Sequence, residues 1–163
     1  MPLERVRVEG LRCLVGVDCR LHPRRNFFFG PNGAGKTSLL EAVYLLGRGR
    51  SFRSRHARRL LCHGRDELSV YAELRAGDDL RRIGVRFAAG QLEFRLDRAP
   101  VAGVTDIAAL VRVDVIDPSI HSLIEGGPSE RRRFIDWGVF HVERSYLPAW
   151  RRYRRALGQR NAA

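Results

Sequence analysis

The sequence predicts an α/β fold in which a mixed sheet surrounds a phosphate-binding loop, and three observations support this prediction. The run Gly30–Thr37 (GPNGAGKT) fits the pattern G-x-x-x-x-G-K-[ST] and lies between an apolar run and a helix-like segment. From Leu68 to Leu96 apolar residues alternate with polar ones, which indicates an antiparallel meander. After residue 128 the apolar residues return to helical spacing. We therefore expect a P-loop NTPase fold with a meander on its flank and C-terminal helices.

Three strands are predicted before the loop. Apolar residues alternate with charged ones over 3–8, and Gly10 ends this first strand. A second alternating run, 15–21, predicts a half-buried strand, and a turn containing Pro23 follows it. Residues 26–29, with three phenylalanines in succession, are predicted to form the central strand that leads into the loop.

The loop residues suit the binding of a nucleoside triphosphate. Glycines let successive backbone amides point into one concavity, and the start of the next helix adds partial positive charge there. Lys36 is expected to reach the β- and γ-phosphates of ATP, and the Thr37 hydroxyl is expected to hold Mg²⁺.

The composition supports a special role for Lys36. Of the 30 basic residues, Lys36 is the only lysine, and the other 29 are arginine. The chain accepts arginine wherever a surface cation suffices, so a lysine here indicates that the site requires a compact ammonium rather than a planar guanidinium.

A helix and a basic segment are predicted after the loop. The spacing of Leu39, Ala42, Val43 and Leu46 predicts a helix over 38–46 with Glu41 facing outward and Gly47 as the C-cap. The following segment, 48–59, carries arginines, serines and Phe52 but no acid, so it is either a phosphate-binding segment or a solvated loop. Its candidate DNA-binding residues are Arg48, Arg50, Arg53, Arg55, Arg58 and Arg59.

The meander is interpreted as scaffold, with strands at 68–74, 83–87 and 92–96. A short helix over 105–110 and an apolar strand over 111–116 are expected after it.

The apolar strand ends at Asp117. A Walker B strand also ends in an aspartate, but Asp117 is followed by Pro118 rather than by a second acid. A helix N-cap with proline at the first helical position explains both residues, and we prefer that interpretation. Ser129 is predicted as the N-cap of a later helix, and an apolar stripe over 147–157 predicts another helix beyond Pro148.

The net charge of +12 and the pI near 11.1 indicate an anionic polymer or surface as partner.

The three cysteines, Cys13, Cys19 and Cys62, have no C-x-x-C spacing, so the sequence favours a reducing, cytoplasmic setting over a disulfide framework. No apolar run of about 18 residues is present, and no membrane association is expected.

Four blocks of sequence resemble the N-terminal part of proteins of the RecF family, a family of bacterial recombination-repair ATPases of the ABC/SMC-like kind. The blocks are Gly30–Ser38, Gly47–Arg53, Gly126–Gly138 and Gln159–Asn161. The resemblance implies an ABC-ATPase head fold (lobe I), with residues 1–128 as a partial head and 129–163 as a helical segment leading to an arm.

The resemblance also implies a function: ATP-driven dimerisation of heads on DNA near single-strand gaps, together with RecO and RecR, to help load RecA. It implies nucleotide binding by Gly30, Pro31, Asn32, Gly33, Ala34, Gly35, Lys36, Thr37, Ser38 and, after the first strand, Arg12. The ABC signature motif and Walker B do not occur in this sequence. We therefore expect weak, DNA-stimulated ATPase activity of the full-length protein and no catalytic residue within the 163 residues.

Two other functions are considered. One is a basic DNA-binding module without catalysis, for which DNA affinity would depend on salt but not on ATP. The other is a different ABC/SMC-like head of a repair or chromosome-structuring ATPase, for which a long heptad insertion would be expected in the complete protein.

Overall fold

The computed structural model of the chain describes residues 1–117, 125–143 and 145–162. These residues form two compact units, 1–115 and 116–163, whereas the sequence suggests a boundary after 128. No helix within the described ranges is long and apolar enough to cross a bilayer.

The first unit is built on one six-stranded antiparallel sheet in the order β2-β1-β3-β4-β5-β6. Its strands are β1 (Leu3–Leu11), β2 (Leu14–Arg20), β3 (Leu68–Ala76), β4 (Asp79–Ala88), β5 (Gln91–Leu96) and β6 (Ala99–Val101). The predicted meander is confirmed, and it continues directly into the first two strands because β3 pairs with β1.

One face of this sheet carries the core. The register aligns Val8 with Val70, Val70 with Val85 and Val85 with Phe94 across four strands. Because side chains alternate between the two faces of a strand, these rows and their neighbours at every second position line one apolar face. Val8, Val70 and Val85 are at most 1% exposed.

Helix α1 (Lys36–Arg48) covers that face and includes the last two residues of the phosphate loop. The predicted C-cap Gly47 is wrong: the helix continues to Arg48, and Gly49 ends it with φ +63° while its N–H donates to the Leu45 carbonyl at 2.9 Å. Gly47 serves close packing instead, since a Cβ there would lie 2.9 Å from the Val111 carbonyl oxygen. Glu41 is also not outward, because its side chain is fully buried.

Two predicted strands are not formed. Residues 26–29 have no strand partner in the described part of the chain, and Phe27 and Phe29 are 83% and 94% exposed. Residues 111–116 are also irregular, although Val111 is buried against the core. The sheet is therefore antiparallel throughout the described residues rather than mixed. An apolar run forms a strand only where a neighbour pairs with its backbone groups, and neither segment has such a neighbour among the described residues.

Three shorter elements complete the first unit. A 3₁₀ turn covers Ala57–Leu60, and helix α2 covers Val104–Ala108, which overlaps the helix predicted over 105–110. Strand β6 was not predicted; Asp97 and Arg98, with φ of +49° and +72°, make the two-residue turn that returns the chain from β5.

The second unit contains helices α3 (Pro128–Val142) and α4 (Tyr146–Ala162). Gly127 rather than Ser129 is the N-cap of α3, because Pro128 takes the first helical position, where no N–H is needed. Pro148 lies in the first turn of α4 and does not interrupt it, for the same reason.

Tyr146 donates a hydrogen bond to Asp136, and partial burial with this bond raises the pKa of Tyr146 to about 12. The helix that was predicted to start at Pro118, with Asp117 as its N-cap, falls on residues 118–124, outside the described ranges.

Candidate nucleotide-binding site

The phosphate loop has the backbone that its glycines predict. Gly30, Gly33 and Gly35 all have positive φ, of +148°, +85° and +93°. Gly35 is the N-cap of α1, and no side chain caps the helix. The amides of the first turn of α1 therefore remain available to an anion, and the helix dipole adds to the attraction.

Lys36 lies across the loop. Its Nζ donates to the carbonyl oxygens of Gly30 and Pro31, at 2.8 Å each. The Ala34 N–H also donates to the Pro31 carbonyl, at 3.3 Å, which closes the loop. An ammonium group can make two such bonds from a single nitrogen, whereas a planar guanidinium would spread its donors over a wider fork.

Thr37 and Ser38 have different surroundings. Thr37 is exposed at the start of α1, as a metal-binding hydroxyl requires. Ser38 is 6% exposed, and its Oγ lies 3.7 Å from Cys13 Sγ. The structure thus places Ser38 in the packing beneath the loop.

The turn between β1 and β2 supports the loop from below. A Cβ on Gly35 would lie 2.5 Å from Leu14 Cδ2 and 3.3 Å from Cys13 Sγ. The same position has φ +93°, so both the backbone conformation and the close approach favour glycine. The turn is itself tied to the rest of the unit, because the Arg12 N–H donates to the Leu60 carbonyl at 2.7 Å.

Arg12 binds Glu41 through two parallel hydrogen bonds. Its Nε and Nη2 lie 3.0 and 2.9 Å from the two carboxylate oxygens. These bonds raise the pKa of the Arg12 guanidinium. Nucleotide binding by Arg12 stays a prediction, and in this structure the guanidinium is engaged with α1.

Sequence reasoning missed the role of Glu41. A signal was present, because Ser38, Glu41, Ala42 and Leu45 have the i, i+3, i+4, i+7 spacing of one helix face. All four residues are buried. A carboxylate on an otherwise buried face requires a cationic partner, and the sequence did not show which of the many arginines supplies it.

The six candidate DNA-binding arginines divide into two groups. Arg48 is only 14% exposed; it donates to the Val113 carbonyl at 3.1 Å and pairs with Asp114, and burial lowers its pKa. Arg48 therefore holds the chain after α2 in place rather than facing solvent. Arg53 also has an acidic partner, since it lies 3.7 Å from Glu41, but its side chain is 48% exposed. The remaining four are exposed: Arg50, Arg55, Arg58 and Arg59.

Phe52 is similarly committed. Its ring packs edge-on against Tyr44, with centroids 5.4 Å apart. The contact anchors the basic segment on α1 and explains the aromatic residue without a nucleic-acid base.

Comparison with known proteins adds to this geometry. The family profile described as the RecF/RecN/SMC N terminal domain matches residues 2–118. Proteins named DNA replication and repair protein RecF from Chromohalobacter salexigens and Azotobacter vinelandii are 44% and 43% identical over 99% of the chain. The chain spans about half the length of these curated relatives, namely 45% of each.

Solved structures agree with the sequence relatives. The structure described as the recombination mediator protein RecF-ATP in the RecFOR pathway superimposes with a TM-score of 0.88 at 25% identity. The match covers 98% of this chain and 45% of that chain. A structure from work on ATP-driven dimerization of SMC ATPases has a TM-score of 0.65 at 20% identity, over 84% of this chain and 99% of that one, and shows the same fold.

Proposed function

The chain belongs to the RecF/RecN/SMC N-terminal domain family, and from that premise we propose that it is the ATP-binding part of a DNA replication and repair protein of the RecF kind. One observation carries the proposal: a glycine loop with an uncapped helix N-terminus lies beneath the ammonium of Lys36. The relatives named RecF and the RecF-ATP structure support ATP over other phosphate ligands.

The residues of the loop fit ATP. In the proposed complex the backbone amides of the loop and of the first turn of α1 bind phosphate oxygens. Lys36, whose Nζ donates to the Gly30 and Pro31 carbonyls at 2.8 Å, exchanges these two acceptors for the β- and γ-phosphates. The Thr37 hydroxyl would supply one ligand to Mg²⁺, which would help to neutralise the charge of the phosphates.

The part of the protein that contacts DNA is proposed to include the exposed arginines of the basic segment. Arg50, Arg55, Arg58 and Arg59 face solvent, and the net charge of +12 favours a polyanion. For the complete protein, we propose that ATP drives dimerisation on DNA and that RecO, RecR and, indirectly, RecA are partners. We also propose that its ATPase activity is weak and stimulated by DNA, and that the protein is cytoplasmic. The signature motif and Walker B needed for hydrolysis are absent from this sequence.

The loss of the Lys36 ammonium tests the ATP site. A charge-assisted contact is worth about 1.5 to 3 kcal/mol, so Lys36→Ala should weaken ATP binding by about one to two decades. Lys36→Arg should recover little of the loss, because the guanidinium does not fit a site built for a compact cation. Fluorescence titration of the complete protein with a labelled ATP analogue and Mg²⁺ measures both variants.

Arg24→Ala is the control, since Arg24 is an exposed cation in the turn after β2. It should leave ATP affinity unchanged. Equal ATP affinity of the Lys36→Ala variant and the wild type would refute the proposed site.

A further inference from the structure

Three segments meet at the buried carboxylate of Glu41. The side chain is 0% exposed and accepts two hydrogen bonds from Arg12, in the β1–β2 turn. It also accepts a hydrogen bond from the Ser51 hydroxyl and pairs with Arg53 at 3.7 Å, both in the basic segment. Glu41 itself lies on α1, just over one turn after Lys36.

Ser51 transmits this contact to the backbone of the basic segment. Its Oγ donates to Glu41 and accepts hydrogen bonds from the N–H groups of Arg53 and Ser54, at 2.9 Å each. A serine hydroxyl that accepts from the N–H groups two and three residues later shapes a local turn. The conformation of residues 51–54 therefore depends on a hydroxyl that Glu41 orients.

A buried carboxylate is a costly way to fill a core position. An ionised group loses its hydration, and well-packed apolar residues often serve stability equally well. Helix α1 already has Ala42, Leu45 and Leu46 at less than 1% exposure. An apolar side chain could fill position 41, and the contacts of Glu41 with a turn and a loop point to positioning.

The placement relative to the phosphate loop gives this positioning a purpose. Lys36 and Thr37, at the end of the phosphate loop, are on the same helix as Glu41, and Arg50 and Arg55 flank the turn at 51–54 with exposed side chains. A loop held in one conformation loses less conformational entropy when it binds a ligand. Phe52, packed on Tyr44, adds a second attachment of the same loop to α1.

We propose that Glu41 is a positioning residue that joins the basic segment to the nucleotide-binding helix, so that the arginines of this segment are preorganised to bind DNA phosphates while ATP is bound. This inference rests on the proposed function. Glu41 contacts neither ligand in the proposal and acts through Ser51 and Arg53.

The test is a double-mutant cycle in the complete protein. Ser51→Ala removes the hydroxyl that Glu41 orients, and Glu41→Gln removes the charge. Each variant should weaken DNA binding in the presence of ATP by about tenfold, the effect of losing one hydrogen bond to a charged group. ATP affinity should change less than about threefold, because Lys36 and the loop amides are untouched. DNA affinity is measured by fluorescence anisotropy with a gapped duplex, and ATP affinity by titration with a labelled analogue.

Coupling between the two positions separates positioning from general loosening. The Glu41→Gln/Ser51→Ala double variant should bind DNA no more weakly than the single variant with the lower DNA affinity, since both substitutions act on the same Glu41–Ser51 contact. Ser51→Thr, which keeps the hydroxyl, should restore DNA affinity. Ser54→Ala is the matched control: Ser54 lies in the same loop, but its Oγ bonds the backbone of His56 and not Glu41. It should combine additively with Glu41→Gln.

Ser51 is in a surface loop, so its variant remains informative even where Glu41→Gln lowers the folded fraction. Wild-type DNA affinity in the Ser51→Ala variant, or equal losses in Ser51→Ala and Ser54→Ala, would overturn the inference and leave the proposed function standing. DNA binding by the wild type that is indifferent to ATP would contradict the proposed function, and the inference would fall with it.

Discussion

At the scale of single residues, Gly10 shows how one backbone conformation supports the candidate site. It lies near the end of β1 with φ +68°, and a Cβ there would lie 2.6 Å from the Glu67 carbonyl oxygen. Its own carbonyl accepts a hydrogen bond from the Cys62 N–H at 2.8 Å. The residues that follow it, Arg12 to Leu14, form the support of the phosphate loop.

Gly10→Ala should therefore destabilise the fold more than a glycine-to-alanine substitution at a position where only the positive φ is unfavourable. Gly77 offers a matched control, because it has φ +66° and a Cβ there would have no neighbour within 4 Å. Gly77→Ala should cost about 1 to 2 kcal/mol for the left-handed conformation. Gly10→Ala should cost about 3 kcal/mol or more, since a backbone clash is added. Urea denaturation measures both variants, and equal losses would show that the close approach to Glu67 is relieved without cost.

At the scale of elements, the turn between β5 and β6 depends on one carboxylate. Asp97 Oδ1 accepts a hydrogen bond from the Arg82 N–H at 2.8 Å, and Oδ2 accepts one from Arg81 Nε at 2.6 Å. The backbone hydrogen bond from Arg82 and the bond from Arg81 hold the pKa of Asp97 below its usual range. The carboxylate therefore joins the end of the meander to β4.

This lowered pKa determines how stability should change with pH. A carboxyl group with a lower pKa in the folded state stabilises the fold above its unfolded pKa of about 3.9, and the contribution disappears as the pH falls through the folded value. Asp97→Asn should therefore lower the melting temperature at pH 7. The difference from wild type should narrow below about pH 4. Thermal unfolding between pH 7 and pH 2 provides the measurement, and a difference that is independent of pH would contradict the role of the charge.

At the scale of the whole molecule, the buried apolar cluster belongs to the first unit. The cluster includes the central sheet residues and α1, and it extends to Ile107 and Val111, which are 0% and 4% exposed. Helices α3 and α4 contain no buried residue among those described. Every buried residue of the described cluster thus lies within the first unit.

A chain of residues 1–115 should fold alone, with a melting temperature within about 5 °C of the 163-residue chain. A chain of residues 1–102 is the control, because it lacks Ile107 and Val111. Loss of a buried aliphatic side chain costs about 2 to 5 kcal/mol, so this shorter chain should melt at least about 10 °C lower. Differential scanning calorimetry tests both. A broad, non-cooperative transition for residues 1–115 would show that the core requires the second unit.

Most of the sheet could be predicted from the sequence, because antiparallel strands with one buried face carry a strict alternation. The strands of the meander and the first two strands follow that alternation, and each lies close to its predicted range. Residues 26–29 and 111–116 have the same apolar character but no pairing neighbour, and the apolar pattern alone cannot reveal that difference.

The candidate site could likewise be predicted only in part from the sequence. The sequence by itself determined the glycine loop and the helix that follows it, because these depend on consecutive residues whose chemistry is local. Only the tertiary structure decided that Glu41 is buried, that Arg12 and Ser51 meet it, and that Arg48 is a structural cation. The physical reason is that pairing across 29 residues, as between Arg12 and Glu41, depends on how the sheet brings its first turn onto the helix. A composition with 29 arginines shows that partners for an acid exist, and only the fold selects which of them it contacts.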